Sequence, residues 1–146
     1  MYNIFEVKLQ SAIDGYLLSE DEDNIRAVVC LIKYQDKFLL GLNKTSDDRN
    51  MKWGPCAGHV KRNEDLERTA IREAKEEFGV RVSVSKGPYN VPRKKDVVFF
   101  VCKTSSLLVP KVNHEFVTAD WFRVKEMKSL KLYHNVMQMI NKASRS

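Results

Sequence analysis

Four glutamates within one short stretch carry the chemistry of this chain. Residues 58–80 read GHVKRNEDLERTAIREAKEEFGV, with carboxylates at Glu64, Glu73, Glu76 and Glu77. The last three are spaced i, i+3 and i+4, so a helix would project them from one side. Like charges packed this way destabilise a helix unless a cation sits among them. Crowded hard oxygen donors are what Mg²⁺ or Mn²⁺ takes. An ion held there would bridge phosphate oxygens and acidify a water for attack on phosphorus. Arg72, directly before Glu73, can offset the packed charge and orient a carboxylate. The bland alternative is a solvated acidic helix face, with Arg72 in a surface salt bridge.

The spacing decides between these. Gly58, five residues, Glu64, seven residues, then Arg72-Glu73-Ala74-Lys75-Glu76-Glu77-Phe78-Gly79-Val80 resembles the Nudix box, G-x5-E-x7-R-E-U-x-E-E-x-G-U. Every fixed letter matches, and Ala74 stands where a larger aliphatic residue is usual. The resemblance implies Mg²⁺ or Mn²⁺ held chiefly by Glu73 and Glu77, with Glu76 helping. It also implies that the Ala57 carbonyl and Gly58 belong to the loop approaching the metal, and that Arg72 and Glu64 form a supporting ion pair. The general base is then a box glutamate or one from a later loop, here Glu115, with Asp120 as a further option.

The lead-in Lys52-Trp53-Gly54-Pro55-Cys56-Ala57-Gly58-His59-Val60 is similar to the W-x-P-P-K-G-H-V of asymmetric diadenosine tetraphosphate hydrolases. The pair His114-Glu115 followed by Trp121 is similar to that group's H-E-x5-W. Cys56 and Ala57 depart from its second proline and lysine. Lys61 replaces an acid, and Arg62-Asn63 replace P-G.

Phosphate contacts are expected from Lys44, Lys61, Arg62 or the run Arg93-Lys94-Lys95. Each could equally be a solvated loop cation. Tyr89, Tyr133 and Trp53 are the aromatic candidates for stacking on a base. His59 and His114 read as solvated loop histidines.

The elements that must position these groups follow from periodicity. Leu66, Ala70, Ala74 and Phe78, with Ile71 beside them, form a core-facing stripe that leaves Glu73 and Glu77 along its edge. Glu64-Asp65 suit the helix start and Gly79 its end. Strands are expected at 25–34, 37–42, 80–85, 97–103 and 117–124, with a turn at Gln35-Asp36. Polar loops are expected at 44–52 and 86–96, and a closing amphipathic helix at 130–143. Residues 4–17 place Phe5, Leu9, Ala12, Ile13, Tyr16 and Leu17 near helical spacing but also alternate like a strand. The order points to an α+β fold. The resemblance implies the Nudix version, an α/β/α sandwich with a mixed sheet and a loop-helix-loop catalytic motif.

With 146 residues, the chain reads as one domain, 1–146, with 1–24 as an extension outside the resemblance and 58–80 as the box. No apolar run reaches the roughly 20 residues of a membrane span, and the first residues lack the pattern of a secretory signal. Three widely spaced cysteines read as reduced thiols in a cytoplasmic compartment, with Cys30 and Cys102 in the core. The net charge of +6 favours polyanionic partners and excludes no nucleotide or RNA.

The expected activity is metal-dependent hydrolysis of a phosphoanhydride in a nucleoside diphosphate linked to another moiety. A nucleoside triphosphate or dinucleoside polyphosphate is the expected small-molecule substrate. The alternative substrate is the 5′ end of RNA, including a cap, which the charge and the 93–95 run support. A reading of another class, a catalytically silent nucleotide sensor, predicts loss of Glu73, Glu76 or Glu77, and all three are present.

Overall fold

The computed structural model describes residues 24–145. The two-way reading of residues 4–17 falls outside them. Strand β1 (Ala27–Tyr34) turns at Gln35-Asp36 into β2 (Lys37–Asn43), where Gln35 adopts a φ of 53°. Two short strands follow, β3 (Trp53–Gly54) and β4 (Cys56–His59), then helix α1 (Leu66–Phe78). Strands β5 (Ser83–Asn90), β6 (Val97–Lys103) and β7 (Phe116–Arg123) lead to the short helix α2 (Val124–Met127) and to α3 (Val136–Ser144).

The strands form one mixed sheet in the order β3-β2-β1-β6-β5, with β4 also on β1 and β7 also on β2. Only β1 and β6 run parallel among the described pairs. β1 is buried on both faces, as its unbroken AVVCLI run requires. Alternate residues feed two cores. Val28, Cys30 and Ile32 pack with Ala70, Ala74 and Phe78 of α1. Ala27, Val29 and Leu31 pack with Val136, Met139 and Ile140 of α3. Helices on both faces of a mixed sheet make the expected α+β sandwich.

Three features differ from the sequence reading. β5 begins at Ser83 and continues through Asn90, so residues 86–90 are strand and only 91–96 form the loop. Register shifts between Val84 and Lys86, and between Lys86 and Tyr89, absorb Gly87 and Pro88 without ending the pairing. The closing helix starts at Val136 rather than 130. Residues 131–133 are drawn to β3 instead: Trp53 N–H donates to the Lys131 carbonyl (2.8 Å) and Tyr133 N–H to the Trp53 carbonyl (3.1 Å). Asn135, at φ 77°, then turns the chain into the helix.

The third difference concerns α1. Ile71 is exposed, while Thr69, Glu73 and Glu77 are buried. The buried arc is therefore rotated away from Ile71, and the two glutamates lie inside it rather than along its edge.

Candidate active site

Local sequence builds the helix that carries the site. Asp65 caps its start, accepting from Arg68 N–H at 2.8 Å. Gly79 ends it in the left-handed region at φ 66°, where a side chain would be strained. Gly79 N–H reaches the Lys75 carbonyl and Val80 N–H the Ala74 carbonyl. Two more last-turn carbonyls are satisfied from outside the helix: Lys111 N–H donates to Phe78 (2.9 Å) and Asn113 N–H to Glu77 (3.1 Å). That second clamp ties the segment leading to Glu115 onto the C-terminal end of α1.

Glu73 and Glu77, one turn apart, are 5 % and 2 % exposed. Buried carboxylates must be compensated, and both are. Arg72 Nη1 donates to Glu73 Oε1 at 2.7 Å, and Ala57 N–H donates to Glu77 Oε1 at 2.9 Å. Gly58 makes the approach feasible: a Cβ on that residue would overlap the Glu73 carboxylate. The box glycine is thus required by the carboxylate it faces, because β4 passes directly against the helix.

Arg72 is the hub. Its Nε and Nη2 meet Glu64 Oε2 and Oε1 at 2.7 and 2.9 Å, a two-pronged pair. Nη1 also reaches the half-exposed Glu76 Oε2 at 3.1 Å, and Nη2 donates to the His59 carbonyl at 2.9 Å. Glu64 accepts further bonds from Lys61 N–H and from the Thr69 hydroxyl. The Arg72 bonds in particular hold the Glu64 carboxyl down from 4.5 to about 2. The guanidinium is raised in turn, chiefly by Glu64, so the pair stays charged across the usable pH range.

Most residues named from the sequence come together here. Glu64, Arg72, Glu73 and Glu76 form one bonded cluster with Lys61 at its edge, and Ala57 and Glu77 form a bonded pair beside it. Glu115 and Lys44 meet beyond the other end of α1, where Lys44 N–H donates to the Glu115 carbonyl (3.0 Å) and Asn113 Oδ1 accepts from Glu115 N–H (2.9 Å).

The stacking candidates do not join them. Tyr89 packs with Phe99 in the core on the α3 face, opposite α1, under the ammonium of Lys142. Tyr133 is buried on that same face, and Trp53 packs edge-on against Phe122 there. β-Strand alternation decides the side for Tyr89 and Trp53, and the bond from Tyr133 N–H to the Trp53 carbonyl carries Tyr133 to it. Arg93 is exposed in the β5–β6 turn, with no contact to the carboxylates among the described residues.

Sequence reading missed Thr69. It is fully buried and holds Glu64 from the helix. Its signal was present: Thr69, Glu73 and Glu77 recur every four residues.

The donor set suits a hard divalent cation. Two buried carboxylates lie beside a backbone segment that has no side chain at Gly58. Among the described residues no three His, Cys, Asp or Glu side chains converge on one point, since Glu73 and Glu76 are turned onto Arg72. One or two carboxylates plus waters and substrate phosphates is the usual environment of Mg²⁺.

The family model of the NUDIX domain matches residues 23–141. The chain belongs to the Nudix family. Nudix hydrolases cut phosphoanhydride bonds and generally use divalent cations. A search of curated proteins finds no match. Among solved structures, the chain is similar to a Nudix-family hydrolase from Clostridium perfringens, with a TM-score of 0.68 and 23% identity over 82% of this chain and 96% of that one. It is also similar to an Ap4A hydrolase from C. elegans (0.60, 24%, 82% and 96%) and to an ADP-ribose pyrophosphatase from Streptococcus suis (0.64, 20%, 82% and 91%). At these identities the likeness shows the fold. Among the described residues no helix of this Nudix protein is long and apolar enough to cross a membrane.

Proposed function

We propose that this Nudix protein is a Mg²⁺- or Mn²⁺-dependent pyrophosphohydrolase of a nucleoside triphosphate or dinucleoside polyphosphate. The observation that carries the reading is the buried pair Glu73 and Glu77, pressed against side-chain-free Gly58 and braced by Arg72. Two buried hard-oxygen donors one helical turn apart are suited to binding a divalent cation.

In this reading Glu73, Glu77 and the Ala57 carbonyl hold the ion, with Glu76 assisting. The ion supplies charge neutralisation on the phosphates and a more acidic attacking water. Arg72, locked by Glu64, keeps the Glu73 carboxylate oriented. Glu115 is the candidate base, carried to the end of α1 by the clamp between Asn113 and Glu77. Water adds to phosphorus, the anhydride P–O bond breaks, and the leaving phosphate takes the bonding electrons. Lys44, next to Glu115, is the candidate phosphate contact at that end.

The net charge of +6 also supports a second reading, hydrolysis at an RNA 5′ end. A panel of nucleoside triphosphates, dinucleoside polyphosphates, nucleotide sugars and 5′-triphosphate or capped RNA, with Mg²⁺ and with Mn²⁺, tests both. Turnover of one class, abolished in Glu73→Gln and Glu77→Gln, is expected. Equal metal-dependent turnover in both variants would sink the assignment.

A further inference from the structure

We infer that a cationic cavity on the far side of the Glu64–Arg72 pair is a second phosphate subsite, taking a phosphate beyond the bond that is cut. The inference rests on the proposed hydrolase reading and narrows its substrate to one with more phosphates than the reacting pair.

The cavity has a volume of about 470 Å³ and is lined by Arg26, Val60, Lys61, Arg62, Asn63 and Glu64, along with the start of β1. That volume lies in the roughly 300–1,000 Å³ range of ligand sites. Three cations from two distant parts of the chain converge on it. Among the described residues its one lining carboxylate, Glu64, is already committed to Arg72, Thr69 and Lys61 N–H. Lys61 and Arg62 have no ion-pair partner among the described residues.

The backbone fixes the loop from which the exposed side chains of Lys61 and Arg62 extend. Glu64 N–H donates to the Lys61 carbonyl (3.0 Å) while Lys61 N–H donates to Glu64 Oε1 (3.1 Å). Asn63, at φ 63°, closes this turn, so Lys61 and Arg62 sit at its tip. Val60 N–H donates to the Arg26 carbonyl (2.9 Å), which pins the loop to the start of β1. The cavity is also close to the chemistry. Glu64 forms its wall and touches Arg72, and Arg72 touches Glu73, so the Glu64 carboxylate and the Arg72 guanidinium separate it from the buried carboxylates. An oligophosphate or a nucleic-acid backbone whose reacting phosphates lie at Glu73 and Glu77 could place a phosphate further along its chain there.

The test is equilibrium binding in EDTA, so that turnover and metal play no part. The probes are inorganic tripolyphosphate and a 5′-phosphorylated oligoribonucleotide. The variants are Lys61→Glu/Arg62→Glu, the neutral Lys61→Gln/Arg62→Gln, and a charge-matched control on α2, Lys125→Glu/Lys128→Glu. Thermal melts confirm that each is folded. Charge reversal at the loop is expected to weaken binding at least about tenfold, with the neutral pair in between. For the oligonucleotide it should reduce the log–log salt slope by about 1.4, from about 0.7 for each of two phosphates. A response by tripolyphosphate supports capture of an oligophosphate chain; a response by the oligonucleotide alone supports capture of strand phosphates. Unchanged affinity and slope, or an equal loss in the α2 control, overturns the subsite. Because hydrolysis by the wild type is measured separately, that outcome leaves the hydrolase reading standing.

Discussion

Arg72 and Glu64 lie eight residues apart, yet their side chains meet in a two-pronged pair at 2.7 and 2.9 Å. The loop that precedes α1 is thereby fastened to the middle of the helix, next to Glu73. The box therefore acts as one braced unit, and its supporting residues should be testable apart from the carboxylates they support.

Glu64→Gln keeps hydrogen-bonding capacity but removes the charge that holds Arg72. Turnover is expected to fall by about 10–100-fold, the usual effect of a group that orients a ligand. The variant also has a pH signature. Arg72 lowers the folded Glu64 carboxyl from 4.5 to about 2. Its stabilising effect is therefore complete above pH 4.5 and lost as pH falls toward and through about 2. Acid unfolding followed by circular dichroism should lose that component in the variant. An unchanged acid limb would remove the pair from any role in stability.

Glu73→Gln and Glu77→Gln each remove a buried negative charge and keep the side-chain shape. Turnover is expected to fall on the order of 10³-fold, the loss of several kcal/mol of charge stabilisation. The melting temperature in EDTA should fall in Glu73→Gln, which takes a carboxylate away from the Arg72 guanidinium, and hold more nearly in Glu77→Gln, where a side-chain carbonyl can still accept from Ala57 N–H. Mn²⁺ titration with the protein's own fluorescence or paramagnetic relaxation checks the cause: each variant should bind the ion more weakly. Wild-type Mn²⁺ affinity in both would place the metal elsewhere.

Gly58→Ala is the smallest change that disturbs the site. The added methyl overlaps the Glu73 carboxylate, so that side chain or β4 must move. Destabilisation of about 1–3 kcal/mol is expected, as for overpacking in a core, together with weaker Mn²⁺ binding. A variant with native melting and native metal affinity would show that the close approach has no consequence.

Asp96 gives a prediction away from the chemistry. It is 1 % exposed, and its Oδ2 lacks a hydrogen-bond partner. Burial raises its carboxyl above the ordinary 3.8. The folded state thus holds the proton more tightly than the unfolded chain, and stability declines as pH rises from 3.8 through the raised value. Asp96→Asn should remove that decline and stabilise the protein at neutral pH by about 1–3 kcal/mol. Denaturant unfolding at pH 4 and pH 7 measures it; a destabilised variant at pH 7 would mean the charge has a use.

Glu115→Gln tests the base. If Glu115 takes the proton from the attacking water, turnover should fall by about 10²–10⁴-fold and the acidic limb of the pH–rate profile should vanish. If Glu76→Gln shows that signature instead, the base belongs to the box.

What the sequence by itself determined is local. The helix, its Asp65 and Gly79 ends and the Nudix box follow from spacing along one continuous segment, and the resemblance implied the Glu64–Arg72 pair. Helical periodicity repeats every few residues, so the relations among Glu73, Glu76 and Glu77 need no tertiary information. The β1–β2 hairpin and β6 were legible for the same reason.

Tertiary structure decided the rest. The depth of Glu73 and Glu77 depends on how closely β4 passes, and Gly58 reveals its purpose only beside the carboxylate it faces. Tyr89 and Tyr133 looked eligible because an aromatic ring can stack on a base. For Tyr89 the side of the sheet was set by strand register, which a one-residue shift reverses, and Tyr133 was carried to the same face by its backbone bond to Trp53. β5 outlasted its sequence signal because pairing with β6 outweighed Gly87 and Pro88. Residues 131–133 left the helical pattern because Trp53 offered them backbone hydrogen bonds. The grouping of Arg26 with Lys61 and Arg62 could not be read either, since long-range packing alone brings the start of β1 to the box loop.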